Sequence, residues 1–169
     1  KQILAAFDKS QPVGIITEGP DGSISMLFVD EKHRRRGVAT TLTERMVVLL
    51  KLKGHDKIKT EADGNTLDFF KHFGFTETGP ERQGFMFTPL EYTPKELWDV
   101  FDINRIKTGK IVERGRTLKQ DEYHIVVHVW MRNREGKYLI SKRTPNKHLP
   151  NMWETTGGSA VIGDDSLSA

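Results

Sequence analysis

The sequence contains no cysteine. That excludes a disulfide framework, a thiolate metal site and a cysteine nucleophile, and it fits a reducing compartment, so a cytoplasmic location is expected. No apolar run approaches the roughly 18 residues of a membrane-spanning helix. Lys1–Ser10 also lacks the basic, apolar, small-residue order of a secretory signal, so no membrane association is expected. What is present, 36% hydrophobic and 29% charged residues, suits a soluble globular chain. At 169 residues it has room for one full domain or two small ones. The formal net charge of +3 favours anionic ligands. One basic run, Lys32-His33-Arg34-Arg35-Arg36, raises nucleic acid as a partner. A base-stacking platform needs aromatics among its basic residues, and this run has none, so nucleic acid is not expected.

Two textures follow one another. Ile3–Phe7, Val13–Thr17 and Ile24–Val29 are short apolar runs separated by turn compositions, Asp8-Lys9-Ser10-Gln11-Pro12 and Gly19-Pro20-Asp21-Gly22, and predict an antiparallel meander. The period then changes. Val38, Leu42, Met46, Leu49 and Leu50 fall on one helical face. Gly54 supplies a stop, with Lys53 at the negative end of the helix dipole. Lys57–Glu61 predicts a strand. Asn65 or Thr66 is placed to cap a second helix through His72, which Gly74 ends. Phe85–Leu90 predicts a further strand. The polar, proline-bearing stretch Glu91–Lys95 marks a domain boundary, giving domains over 1–92 and 93–169. Beyond it, Trp98–Asp102 and Lys110–Glu113 form a hairpin pattern. Ile125–Met131 and Lys137–Lys142 predict strands, Asn146–Asn151 is a loop, and Asp164–Leu167 reads as a helix start that the chain cuts short.

The chemistry is concentrated at Arg34-Arg35-Arg36-Gly37-Val38-Ala39. Backbone N–H groups at a helix start have no intrahelical partner and lie at the positive dipole end. Gly37 lets the backbone approach an anion with no Cβ in the way, Ala39 is small enough to leave the next N–H open, and the arginines add charge-assisted contacts to phosphate. By glycine spacing alone the segment fits a solvated basic loop before a surface helix equally well.

Its surroundings decide between these. Strand Ile24–Val29, the pattern Arg34-x-x-Gly37-x-Ala39, the amphipathic helix, strand Lys57–Glu61 and the segment Asn65-Thr66-Leu67-Asp68-Phe69-Phe70-Lys71-His72-Phe73-Gly74-Phe75 together resemble the GNAT acetyltransferase superfamily over roughly 1–92. The resemblance implies an α/β (α+β) fold with a mixed, mostly antiparallel sheet and flanking helices. It implies acetyl-CoA as acyl donor and an amine on a small molecule or peptide as acceptor, with direct attack of the amine on the thioester. Carried over position by position, backbone groups of Leu27, Phe28 and Val29 would pair with the pantetheine arm. Arg34, Arg36, Gly37, Val38, Ala39 and Thr40 would hold the diphosphate, and Asn65 and Phe70 would lie against the coenzyme. Glu61 is the candidate base, with a plain surface glutamate as the alternative. Two departures are visible. Phe70 stands where the family often has a tyrosine that protonates the departing thiolate, and phenylalanine cannot donate; the ring also fits a core position. The strand and helical pair that normally precede Ile3–Phe7 are missing from the sequence.

The second part resembles a Nudix hydrolase, in particular the subgroup similar to isopentenyl-diphosphate isomerase. The resemblance rests on Trp98–Asp102, Tyr123–Trp130, Leu139–Arg143 and Pro150–Gly158, and it implies the beginning of an α/β/α Nudix fold acting on a nucleoside or other diphosphate. Gly158 would open the Nudix box and Asp164 would stand at its first glutamate, a Mg²⁺ ligand. The remaining ligands would lie beyond Ala169, so Mg²⁺ and hydrolysis are expected only of a completed box. Arg143 is a candidate phosphate contact, with an ordinary strand-end arginine as the alternative. His124 and His128 alternate onto one strand face and read as structural. Isomerases of this kind use a cysteine near Thr156–Gly158, and the sequence has none. Two enzyme readings stand: an acetyl-CoA-dependent N-acetyltransferase fused to a Nudix domain, or a Nudix diphosphohydrolase with a coenzyme-A-binding accessory domain. A non-enzymatic coenzyme-binding module is the third.

Overall fold

The computed structural model describes residues 1–80 and 86–164, and the chain divides into two compact units, Lys1–Lys95 and Glu96–Ala169. The first unit carries a six-stranded sheet. Strands β1 (Ile3–Asp8), β2 (Gln11–Glu18) and β3 (Ser23–Val29) form the expected antiparallel meander. Helix α1 (Val38–Leu52) carries the chain to β4 (Ile58–Ala62), which lies parallel to β3. Helix α2 (Leu67–Phe73) precedes β5 (Thr76–Glu77) and β6 (Thr88–Tyr92). The sheet order is β1-β2-β3-β4-β6-β5, antiparallel except at β3–β4.

Both helices pack on one face of this sheet. Leu42, Met46, Val47 and Leu50 of α1 and Phe70 and Phe73 of α2 are buried with Ile16, Ile24, Ile58, Ala62 and Leu90, one contiguous apolar core. Strand β4 shows why so few residues suffice: Ile58, Thr60 and Ala62 are buried while Lys59 and Glu61 are exposed, the two-residue alternation of a half-covered sheet. Gly14 lets α1 approach β2. A Cβ there would stand 2.9 Å from Val38 Cγ1 and 3.3 Å from the Phe28 carbonyl oxygen.

Two expectations about local structure change. Strand β6 begins at Thr88 rather than Phe85, and Phe85 lies outside the described residues. Helix α2 is capped by neither Asn65 nor Thr66. Asp63 Oδ1 accepts from the backbone N–H of Asn65 and Thr66 and, at 2.7 Å, from the Thr66 hydroxyl. These bonds, the Thr66 hydroxyl foremost, hold the Asp63 carboxyl below the usual carboxylate range.

The second unit consists of strand pairs. Strands β7 (Leu97–Phe101) and β8 (Lys107–Glu113) form the expected hairpin, with β8 three residues longer than the apolar pattern indicates. The others are β9 (Val126–Val129) with β12 (Thr156–Ser159), and β10 (Ser141–Lys142) with β11 (Trp153–Glu154). Its core is small, Trp98, Val100 and Val112 with Leu118 against them. Residues 96–164 hold no helix among the described residues. The helix start expected at Asp164–Leu167 falls, apart from Asp164, outside them.

Candidate functional site

A bulge in β3 opens the sheet. Thr17 faces Met26 and Glu18 faces Ile24, so Ser25 has no opposite residue on β2. A bulge of this kind bends its strand and strengthens the local twist. Its consequence appears on the other edge: β3 pairs with β4 only through Ser23↔Lys59 and Ile24↔Thr60. Beyond Ile24 the two parallel strands part, and the β3 edge from Met26 to Val29 is left without a β4 partner.

Which backbone groups face that gap follows from the ladder. The Asp30 N–H donates to the Val13 carbonyl at 2.9 Å, and antiparallel pairs alternate between bonded and non-bonded. Phe28 and Met26 therefore turn their backbone groups toward β2, and Leu27 and Val29 turn theirs toward the gap. The Val29 carbonyl there accepts from Arg34 Nε at 3.1 Å. Of the three residues expected to pair with an extended ligand, Leu27 turns both backbone groups to the open edge and Val29 its N–H, its carbonyl being held by Arg34. Phe28 does not, because its N–H and C=O belong to the β2 ladder; it contributes an exposed ring instead.

The open edge leads to the start of α1. Gly37 is the N-cap with φ +80, no side chain caps the helix, and its first turn holds no acidic residue. The first helical bond is Thr41 N–H to Gly37 O at 2.9 Å, so the N–H groups of Val38, Ala39 and Thr40 lie ahead of any intrahelical acceptor. A Cβ on Gly37 would meet nothing within 4 Å; the glycine serves its left-handed backbone angle and the space outside. Arg35 is also left-handed, φ +61. Among the described residues neither Arg35 nor Arg36 is held in an ion pair, while Arg34 leans back onto the strand through Val29. Uncapped N–H groups at the positive end of a helix dipole follow directly on a run of exposed arginines, a combination that suits a polyphosphate.

On the sheet face away from the helices, a cavity of about 540 Å³ lies at the apex of the splay, lined by Ser25, Lys59, Glu61, Thr78, Pro89 and Glu91. Glu61, the candidate base, is thus in a cleft beside the bulge. Sequence reasoning missed Ser25, whose hydroxyl lies 2.8 Å from that of Thr17, because a bulge leaves no mark in a regular Ser-Ile-Ser-Met run.

The remaining expected positions are dispersed. Asn65 is exposed in the turn before α2, its N–H held by Asp63. Phe70 is 3% exposed, with ring centroids 5.2 Å from Phe69 and 5.1 Å from Phe75; we count it with the core. In the second unit, Arg143 is tied to Glu154 by an ion pair, and the Asp164 carboxylate accepts from the Val161 N–H at 2.8 Å. No cluster of three potential metal ligands occurs among the described residues. His124 stacks on Trp98 at 4.2 Å and His128 Nδ1 lies 3.2 Å from the Thr155 hydroxyl, both structural placements. No described helix is long and apolar enough to cross a membrane.

A mixed, mostly antiparallel sheet with two helices packed on it, splayed beside a glycine-led helix start, is an α/β architecture of the GNAT type. Residues 1–94 match the family model of the acetyltransferase (GNAT) domain, more than half of the chain, and the chain belongs to this family. It is 31% identical over 99 residues to the uncharacterized N-acetyltransferase YafP of Escherichia coli, covering 56% of this chain and 62% of that protein. It is also 42% identical over 76 residues to an uncharacterized Nudix hydrolase of Listeria monocytogenes, covering 44% of this chain and 45% of the relative. The chain thus spans about half to three-fifths of the curated relatives it matches. Among solved structures, a GCN5-related N-acetyltransferase from Rhodopseudomonas palustris is similar at TM-score 0.48 and 27% identity, over 54% of this chain and 60% of that one.

Proposed function

We propose that the first unit binds acetyl-CoA and transfers its acetyl group to an amine. The observation that carries this reading is the continuity of the open β3 edge with the uncapped start of α1. The groups of Leu27 and Val29 would take the amides of the pantetheine arm as an added strand. The N–H groups of Val38, Ala39 and Thr40, with Arg34 and Arg36, would take the diphosphate. Asn65, in the exposed turn after β4, would contact the coenzyme from the far side of the splay. The thioester would then fall near Ser25 and Glu61, beside the cavity of about 540 Å³, which would admit an acceptor amine. Holding amine and thioester in attack geometry supplies much of the acceleration, and Glu61 would receive the amine proton directly or through water.

Titration with coenzyme A should show saturable binding that Gly37→Glu weakens by roughly a hundredfold or more, since a carboxylate is placed where the diphosphate sits. Unchanged affinity in that variant sinks the site. For the transfer step, Glu61→Gln should lower kcat by on the order of a hundredfold with coenzyme affinity kept; an unaffected kcat removes Glu61 as the base.

A second reading is favoured by the 42% identity to a Nudix hydrolase. In it the whole protein is a Mg²⁺-dependent diphosphohydrolase, and the first unit is a coenzyme-binding accessory. The described residues do not themselves fit a Mg²⁺ site, because the Asp164 carboxylate closes a local turn on the Val161 N–H and no metal-ligand cluster accompanies it. Arg143, as a phosphate contact, would first have to leave Glu154. An assay of diphosphate cleavage by the protein with and without Mg²⁺ separates the readings. Cleavage that persists in Gly37→Glu supports the second, and acetyl transfer that Gly37→Glu abolishes supports the first.

A further inference from the structure

The loop that connects the open edge to the helix start is itself held by a side chain that no contact with a coenzyme would explain. His33 stands directly before Arg34. Its Nδ1 lies 2.7 Å from Asp30 Oδ2, at the end of β3, and its Nε2 lies 3.4 Å from Asp8 Oδ2, at the tip of the β1–β2 hairpin. The imidazole is largely covered, 22% exposed, between two aspartates that are 46% and 61% exposed. Asp30 occupies the N-cap of the short turn Glu31–His33, and its carboxylate is held chiefly by the ring, with a lesser contribution from the Lys32 backbone N–H. That hydrogen bond is the leading cause holding the Asp30 carboxyl below the usual carboxylate range.

The backbone continues the pattern. Asp30 N–H donates to Val13 O at 2.9 Å, His33 N–H donates to Asp30 O at 2.9 Å, and Arg34 Nε donates to Val29 O at 3.1 Å. Each fixes the segment up to Arg34. The next residues carry the two left-handed backbone angles, Arg35 and Gly37, whose conformation costs free energy in a non-glycine residue and needs support on both sides. Helix α1 supplies it on one side. On the other, four cations follow one another, Lys32, Arg34, Arg35 and Arg36, and their mutual repulsion favours an opened loop. The carboxylates of Asp8 and Asp30 and the neighbouring Glu31 are the opposing charges.

We propose that His33, clamped between Asp30 and Asp8, is a positioning residue for the diphosphate site: it sets the spacing between the end of β3 and the N-cap of α1. This rests on the coenzyme reading above. His33 touches no ligand; it holds Arg34 and the Arg35–Gly37 turn in the arrangement that lets arginine side chains and helix N–H groups meet one diphosphate. Preorganisation of this kind is read in affinity, because a loop ordered beforehand loses less entropy on binding.

The test is calorimetric titration of the chain with coenzyme A, alongside amide order parameters for Arg35 and Gly37 in the ligand-free protein. His33→Ala should weaken binding by roughly three- to tenfold, the scale of ordering the backbone of about one residue. It should lower the order parameters of Arg35 and Gly37 below about 0.6 while those of the sheet stay near 0.85. His33→Gln, which keeps one donor toward Asp30, should recover part of the affinity. Asp8→Asn, at an exposed hairpin tip, should give a smaller loss in the same direction. Wild-type affinity in folded His33→Ala, or a loss of order spread over the whole sheet, overturns the proposal. Absence of coenzyme binding by the unaltered chain instead overturns the coenzyme reading, and this inference with it.

Discussion

Gly14 shows how a single residue with no chemistry shapes the site. It faces Val29 in the ladder and lies under the first turn of α1. An added Cβ would press on Val38, at the first helical position, and on the Phe28 carbonyl, in the strand that borders the splay. Gly14→Val should therefore destabilise the first unit by about 1–3 kcal/mol, the usual cost of overpacking, and should also weaken coenzyme A binding, because the helix start moves. Thermal unfolding and titration check both; a stable variant with wild-type affinity would show that α1 shifts without disturbing its N–H groups. Residues of this kind are poorly legible in a sequence. Gly37 announces itself through the arginines before it and the helix period after it, whereas Gly14 sits in an ordinary strand pattern and its meaning depends on a helix more than twenty residues away. Phe70 was open to two readings because the same aromatic suits a coenzyme flank or a core, and only its rings against Phe69 and Phe75 decide for the core.

Among the elements, the ones that could be read in advance are those whose hydrophobic period is long. The three-strand meander and α1 lie where alternation and the 3.6-residue period put them. Helix α2 lies where the pattern puts it, but the oxygen that caps it belongs to Asp63 and not to Asn65 or Thr66. Asp63, Asn65 and Thr66 are all good capping types, and the carboxylate two residues upstream wins by reaching two N–H groups and a hydroxyl together. Asp63→Ala should accordingly cost about 1 kcal/mol. Because the folded carboxyl titrates below its ordinary range, that contribution is present at neutral pH and is lost as pH falls through the folded value. The stability difference between the variant and the parent should thus shrink in acid, and a difference that stayed constant down to acid pH would place the effect in packing. The splay at β3–β4 was invisible for another reason. It depends on which residue of β2 faces which of β3, and the bulge at Ser25 is a property of that pairing. Strands β9 and β10 are shorter than the apolar runs Ile125–Met131 and Lys137–Lys142, and Val126, Val129, Trp130 and Met131 are substantially exposed, so alternation there does not mark a covered face.

For the molecule as a whole, the two units carry different spectroscopic reporters, and this makes their coupling measurable. All three tryptophans, Trp98, Trp130 and Trp153, lie in residues 96–169, while both helices, α1 and α2, lie in residues 1–95. Helical circular dichroism therefore follows the first unit and tryptophan fluorescence the second. Each unit has its own apolar cluster, a large one under the helices and a small one around Trp98 and Val100. A ligand that binds only the folded first unit stabilises it by mass action, about 2.7 kcal/mol when its concentration is a hundred times Kd. Coenzyme A should then raise the midpoint of the dichroism transition and leave the fluorescence transition where it is. Gly37→Glu should remove the shift and lower the ligand-free dichroism midpoint by the cost of the left-handed angle, about 1 kcal/mol, while the fluorescence midpoint stays in place, since no atom of the protein lies within 4 Å of the added Cβ. If coenzyme A moved both transitions together, the units would unfold as one cooperative body, and ligand binding in the first would be felt in the second.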